Sequence, residues 1–164
     1  MKLKLITTLL LILFSLPSYA EKPDWISVSE LLSKAIITKD KNYTSTVHMR
    51  CGALTTVIAE ISGENNDNYK TFLDVADTHF MMSSKYELDV FIARGGKKEL
   101  FSANSEARVT LIRKLAKKYV DWMDHNWIKT GDHIGSDEQL ISEIELCGML
   151  AQGKDPLYEQ MNTP

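Results

Sequence analysis

Four consecutive residues, His48-Met49-Arg50-Cys51, place an imidazole, a guanidinium and a thiol within one turn of an otherwise apolar helical pattern. Such groups ligate metals, clamp anions or attack electrophiles, and each use makes its own demand on the surroundings. A closed zinc site needs three or four of His, Cys, Asp and Glu converging on one point. His48 and Cys51 stand at i, i+3, but a sulfur engaged in a disulfide is lost as a ligand. A nucleophilic or redox thiol needs an exposed, electropositive place where its pKa falls, and Cys51 lies on the apolar side of its helix. The chain has two cysteines and no CxxC spacing. Behind an export-type leader, that pattern points to one structural disulfide, Cys51–Cys147. Closing so long a loop adds up to about 4–5 kcal/mol in chain-entropy terms.

Arg50 and Glu143 are the charges that break the hydrophobic pattern. At 100° per residue Arg50 falls between Leu54 and Val57, inside the apolar arc. Glu143 lies one turn before Cys147 and is flanked by the directions of Cys147 and Leu150. If the cysteines bond, both charges sit beside the link. A partly buried Arg50–Glu143 ion pair is therefore expected, with charged atoms within about 6 Å. An unpaired arginine there is costly, whereas a paired one mainly fixes register. The competing use is an arginine that binds a ligand.

The remaining chemistry-bearing residues form weaker sets. Asp121 and His125 stand at i, i+4, and His133 in the loop Thr130-Gly131-Asp132-His133 is the third member of the best metal combination. Two ligands do not close a site, so a solvated pair and no metal are expected. His79, in Asp74-Val75-Ala76-Asp77-Thr78-His79, borders an apolar arc and reads as a core histidine bonded to a neighbouring hydroxyl. Neither a GxSxG elbow nor a CxxCH haem motif occurs, and Gly95-Gly96 is an isolated turn-forming pair. Glu143 with Glu145 and Asp137 with Glu138 do not converge for acid–base work. Met81-Met82 reads as core filling, and Trp127 at a helix end is a candidate partner anchor if exposed. The sequon Asn42-Tyr43-Thr44 matches a three-residue glycosylation pattern, a weak signal.

Five helical segments must position these groups. Val28–Ile37 starts with Ser27 and Glu30 in capping-box spacing, with Val28, Leu31, Leu32, Ala35 and Ile36 on one face. A second segment, about Tyr43 to Ser62, stops at Gly63 and carries Val47, Cys51, Leu54, Ile58 and Ile61. The third starts near Asn66 and carries Tyr69, Phe72, Leu73, Ala76 and Phe80. Tyr86 to Ile92 alternates like a strand, but Phe91 breaks the alternation, so the helix is read on to Gly95-Gly96. The fourth, about Asn104 to Trp127, spreads its apolar residues over about 180° of its surface, which places it centrally. The fifth, about Ser136 to Gln152, starts at a Ser136/Gln139 capping box and ends at Gly153, with Leu140, Ile144, Cys147 and Ala151 on its face.

The first twenty residues read as a secretory signal. Lys2 and Lys4 precede the apolar run Leu5 to Leu16, and Ser18-Tyr19-Ala20 is a small-x-small cleavage site. The run is too short to span a bilayer. The signal holds two of the 19 basic residues and none of the 22 acidic ones, so its removal takes the net charge from −3 to −5. No basic patch with interleaved aromatics remains, which argues against nucleic acid as a partner. Arg113, Lys114, Lys117 and Lys118 share a helix with Asp121 and Asp124 and read as a solvated, salt-bridged face.

The expectation is an all-α, bundle-like single domain of about five helices stapled by one disulfide. Residues 1–20 are the signal, 21–153 the helical domain and 154–164 a polar tail. No assembled catalytic motif or cofactor signature is present. The chain therefore reads as an exported, periplasmic or secreted, non-enzymatic domain that binds another envelope or secreted protein, without cofactor and without a membrane span after signal removal. The alternative is a small-molecule carrier or small enzyme with a pocket between helices.

Overall fold

Helix boundaries in this protein are set by short polar side chains and by left-handed residues. In the computed structural model, which describes residues 24–103 and 105–152, Ser27 Oγ accepts the Glu30 N–H at 3.1 Å and starts α1, Val28–Thr38. The Glu30 carboxylate turns outward to Lys34 at 3.1 Å. Lys39, at φ 53, ends α1 in the left-handed region, and Asp40 then caps α2, Lys41–Ser62, by accepting the Asn42 N–H. Gly63, at φ 77, ends α2.

The turn that follows delays α3 to Tyr69–Ala93, three residues after its expected start. Asn66 Oδ1 accepts the Asn68 N–H at 2.8 Å, so the side chain competes with helix formation there. The segment Tyr86 to Ile92 is helical throughout. After the 3₁₀ turn Lys98–Leu100, Ser105 caps α4, Glu106–Thr130, which ends at Gly131 with φ 74. Helix α5, Glu138–Ala151, is capped by Asp137 instead of the expected Ser136. One Asp137 oxygen accepts the Leu140 N–H and the other accepts the Trp122 indole N–H at 2.7 Å, two bonds that a single hydroxyl cannot accept in the same geometry.

The described residues are all-α, five helices around one core, with α2 and α5 joined by the Cys51–Cys147 disulfide. Val28 and Leu31 of α1, Val47, Leu54 and Ile58 of α2, Tyr119, Trp122 and Met123 of α4, and Leu140 and Leu150 of α5 form the apolar cluster. Helix α3 enters the interior largely through small or polar side chains: Ala76, His79, Ser83 and Tyr86. Among the described residues no helix is long and apolar enough to cross a membrane. The expected signal and the tail 154–164 lie outside the described residues.

The central helix is α2, not α4. From Thr44 to Ala59 nearly every α2 residue is buried, whereas Leu111, Val120 and Trp127 of α4 are exposed. Hydrophobic periodicity understates α2 because its buried positions include Thr44, Ser45, Gly52 and Thr55. Thr55 Oγ1 donates to the Cys51 carbonyl at 2.9 Å, so its polar atom is satisfied inside its own helix. Gly52 lets α3 approach closely: a Cβ there would lie 2.6 Å from the Phe80 ring.

Candidate functional site

The chemistry-bearing residues gather along the disulfide. Cys51 and Cys147, 96 residues apart in sequence, bring α2 and α5 to a Cα–Cα distance of 5.3 Å. One residue before Cys51, the Arg50 side chain points into the core with 3% of its surface exposed, and Glu143 meets it with 2%. Arg50 Nη2 donates to both Glu143 oxygens at 3.0 Å.

Four further groups, whose place here helical periodicity did not indicate, complete this cluster. Arg50 Nε donates to the Tyr119 hydroxyl at 3.2 Å, and that hydroxyl donates to Glu143 Oε2 at 2.7 Å. Arg50 Nη1 donates to the Ile26 carbonyl, and the Val28 N–H at the start of α1 donates to Glu143 Oε1 at 3.2 Å. The Trp25 ring lies 4.0 Å from the guanidinium carbon and meets Tyr119 edge-on at 4.9 Å. Burial first, and then the Glu143 carboxylate, push the Tyr119 phenol well above its ordinary pKa, so it stays protonated and can donate. The segment before α1 thus joins α1, α2, α4 and α5 through one ion pair. The donors of Arg50 are spent on the protein itself, which is the pattern of a positional clamp.

On the other side of α2, His48 and His79 face each other with their Nδ1 atoms 3.0 Å apart. His79 Nε2 lies 3.0 Å from the Cys147 carbonyl. A carbonyl only accepts, so His79 carries its proton on Nε2 and offers a lone pair at Nδ1; His48 must then donate from Nδ1. The expected hydroxyl partner of His79 is replaced by this imidazole and the Cys147 carbonyl. The Tyr86 ring stacks on His48 at 5.8 Å between centroids. Burial, followed by repulsion from His79, lowers the His48 pKa to about 3. Burial also lowers that of His79, against a smaller opposing pull from its bond to Cys147. Both rings are neutral at pH 7.

A second polar network ties α2, α3 and α4. Ser45 Oγ lies 3.0 Å from Ser83 Oγ and donates to Glu87 Oε1, while Arg108 Nε donates to Glu87 Oε2 at 2.9 Å. Arg108 also donates to the Phe80 and Ala103 carbonyls, fixing the start of α4 against α3. Arg108 lies in an unremarkable first helical turn, so nothing in its spacing marked it.

The other expected sets disperse. Asp121 pairs with Lys117 at 2.7 Å, and His133 stacks on Trp127 with centroids 4.8 Å apart. Among the described residues no three of His, Cys, Asp and Glu form a metal-holding group. Met81 is 67% exposed and does not fill the core: it lies on the outer side of α3, beside a groove with Phe80 and Arg108. Trp127 is half exposed and lies beside a small groove of about 160 Å³ lined by Ile58, Ile61, Met123, His133 and Ile134. A larger open cleft of about 620 Å³ lies at the starts of α1 and α5, between Asp24, Trp25, Glu30, Gln139, Ser142 and Glu143.

Comparison with protein-family models, with curated proteins and with solved structures gives no match.

Proposed function

We propose that this chain is an exported, non-catalytic helical domain that acts by binding another protein of the cell envelope or of the medium. The observation that carries the reading is the contrast between interior and surface. Inside, Arg50, Glu143, His48 and His79 bond to one another or to backbone, and the two cysteines to each other. Outside, Trp127 and Ile128 are half exposed at the end of α4, and Trp127 stacks on His133, which lines the groove of Ile58, Ile61 and Ile134. Large aromatics on an apolar surface are what protein partners use as anchors. Export is supported by the leader-like first twenty residues and by the disulfide, which is at home in an oxidising compartment.

The test is photo-crosslinking in the producing cell, with a photoreactive residue at Ile128 and, as a control face, at Leu100. One discrete adduct formed from Ile128, absent from Leu100 and lost in Trp127→Ala, is the expected result. Equal labelling from both positions, or adducts indifferent to Trp127→Ala, overturns the reading. A second reading, a small-molecule carrier, is favoured by the 620 Å³ cleft, whose size is that of ordinary ligand pockets. A small-molecule adduct retained in a native mass spectrum and lost on Gln139→Ala substitution would establish it in place of the first.

A further inference from the structure

The last turn of α2 and the loop that follows α4 flank a groove of about 160 Å³. Its lining includes Ile58 and Ile61 of α2, Met123 of α4, and Asp132, His133 and Ile134 of the loop. Trp127 stacks on His133 with ring centroids 4.8 Å apart and extends that wall to the surface. We propose that this groove is the docking site for a segment of a partner protein that inserts one phenyl-sized side chain and sets a neighbouring Lys or Arg against Asp132, an inference that rests on the protein-binding reading above.

Size and lining select the anchor. Pockets that hold a whole small-molecule ligand run from about 300 to 1,000 Å³, whereas an apolar cavity of about 150 Å³ holds one benzene ring. A groove of this size, walled by three isoleucines and Met123, therefore fits one apolar side chain whose backbone stays outside. His133 Nδ1 is buried and has no hydrogen-bond partner among the described residues. The free chain carries the cost of that unmet atom, and a backbone N–H or C=O of the incoming segment that bonded it, according to its tautomer, would remove the cost.

Charge selects what stands beside the anchor. The lining includes one carboxylate, Asp132, and no Lys or Arg; Lys129, in the last turn of α4, is not part of it. Asp132 accepts the Ile134 N–H at 2.9 Å, and backbone bonds from Gly135 and Ile134 hold its carboxyl below the usual carboxylate range, so it is charged at neutral pH. Ile61 belongs to the last turn of α2, where the final carbonyls carry the negative end of the helix dipole and no basic residue offsets it. A Lys or Arg next to the anchor meets both of these negative groups, and an acidic neighbour is repelled by them.

Titration of the ¹⁵N-labelled, intact oxidised chain with acetyl-Phe-Lys-amide, acetyl-Ala-Lys-amide and acetyl-Phe-Glu-amide tests this. The first peptide is expected to shift the amides of Ile58, Ile61, Asp132 and Ile134 and the Trp127 indole N–H in a saturable way. Alanine in place of phenylalanine is expected to weaken binding by at least about tenfold. Glutamate in place of lysine is expected to weaken it by about two- to fivefold, a difference that shrinks in Asp132→Asn. Ile61 is 39% exposed, so Ile61→Arg is expected to fold and to abolish binding by filling the groove with a repelling charge. No saturable shift, equal binding of the alanine peptide, or binding indifferent to Ile61→Arg overturns the site. Shifts of the same amides that grow with protein concentration in the absence of peptide assign the groove to a second copy of the chain and overturn it too. The crosslink from Ile128 separates this inference from the reading beneath it. An adduct lost in Ile61→Arg places the partner here, whereas one that forms as readily in that variant leaves protein binding standing and removes this groove from it.

Discussion

Replacing Glu143 by Gln removes one charge from the interior and almost no volume. Four bonds converge on that carboxylate: two from Arg50 Nη2 at 3.0 Å, one from the Tyr119 hydroxyl at 2.7 Å and one from the Val28 N–H at 3.2 Å. Glutamine keeps one acceptor oxygen and turns the other into a donor facing a guanidinium that has 3% of its surface exposed. A buried cation left without its counter-charge costs about 3–5 kcal/mol. With a urea slope of about 2 kcal/mol per molar, the unfolding midpoint falls by about 1.5–2.5 M. An apolar replacement of the whole pair, Arg50→Met with Glu143→Leu, leaves no stranded charge but orphans the Tyr119 hydroxyl, the Ile26 carbonyl and the Val28 N–H. Each orphan costs about 1–3 kcal/mol when it stays buried, together about 3–9 kcal/mol, so the double variant recovers little or none of the loss. Adding Tyr119→Phe removes one orphan and should recover more. Urea unfolding followed by circular dichroism reads all four proteins. A loss under about 1 kcal/mol in Glu143→Gln would refute the claim that the charge pair is desolvated.

Acid is expected to destabilise the fold through the histidines. Their pKa values are lowered in the folded chain, so the stability they confer is complete above about pH 6.5 and is lost as pH falls toward the folded value of about 3 for His48. For His48 alone the loss at pH 5 is about 2 kcal/mol relative to pH 7, visible in urea midpoints and absent in His48→Asn. Gly52→Ala brings a methyl group to 2.6 Å from the Phe80 ring, and an overpacking cost of about 1–3 kcal/mol is expected. Pairing it with Phe80→Leu should relieve part of that cost; a neutral single variant would show that α2 and α3 are less closely packed. Asp137→Ser keeps a helix cap but strands the buried Trp122 indole N–H, so a melting-temperature loss is expected that Asp137→Asn, with an acceptor retained, largely avoids.

Helical period carries far in this chain because its core is built from faces. The all-α class and the positions of Cys51, Cys147, Arg50 and Glu143 follow from a 3.6-residue repeat, which puts misplaced charges and thiols into apolar arcs. The structure sets Arg50 and Glu143 3.0 Å apart. Trp25 and the Ile26 carbonyl were not legible, since they lie in an extended segment that has no period. The centrality of α2 was hidden for another reason: Thr44, Ser45, Gly52 and Thr55 score as polar or neutral, yet their hydroxyls are satisfied locally or by α3, and the missing Cβ of Gly52 admits a neighbour. The His48–His79 contact depends on how two helices cross, which no single-helix wheel contains. Asp137 outcompeted Ser136 as a cap because it also serves Trp122, a tertiary contact fifteen residues upstream.

The measurement closest to the central claim is the intact mass of the chain produced in cells with its own first twenty residues, taken before and after reduction. An exported, stapled domain is expected to begin at Glu21, to run about two mass units below its fully reduced form and to gain them only on reduction. A chain that retains residues 1–20 and carries two free thiols at Cys51 and Cys147 would contradict both the export and the staple.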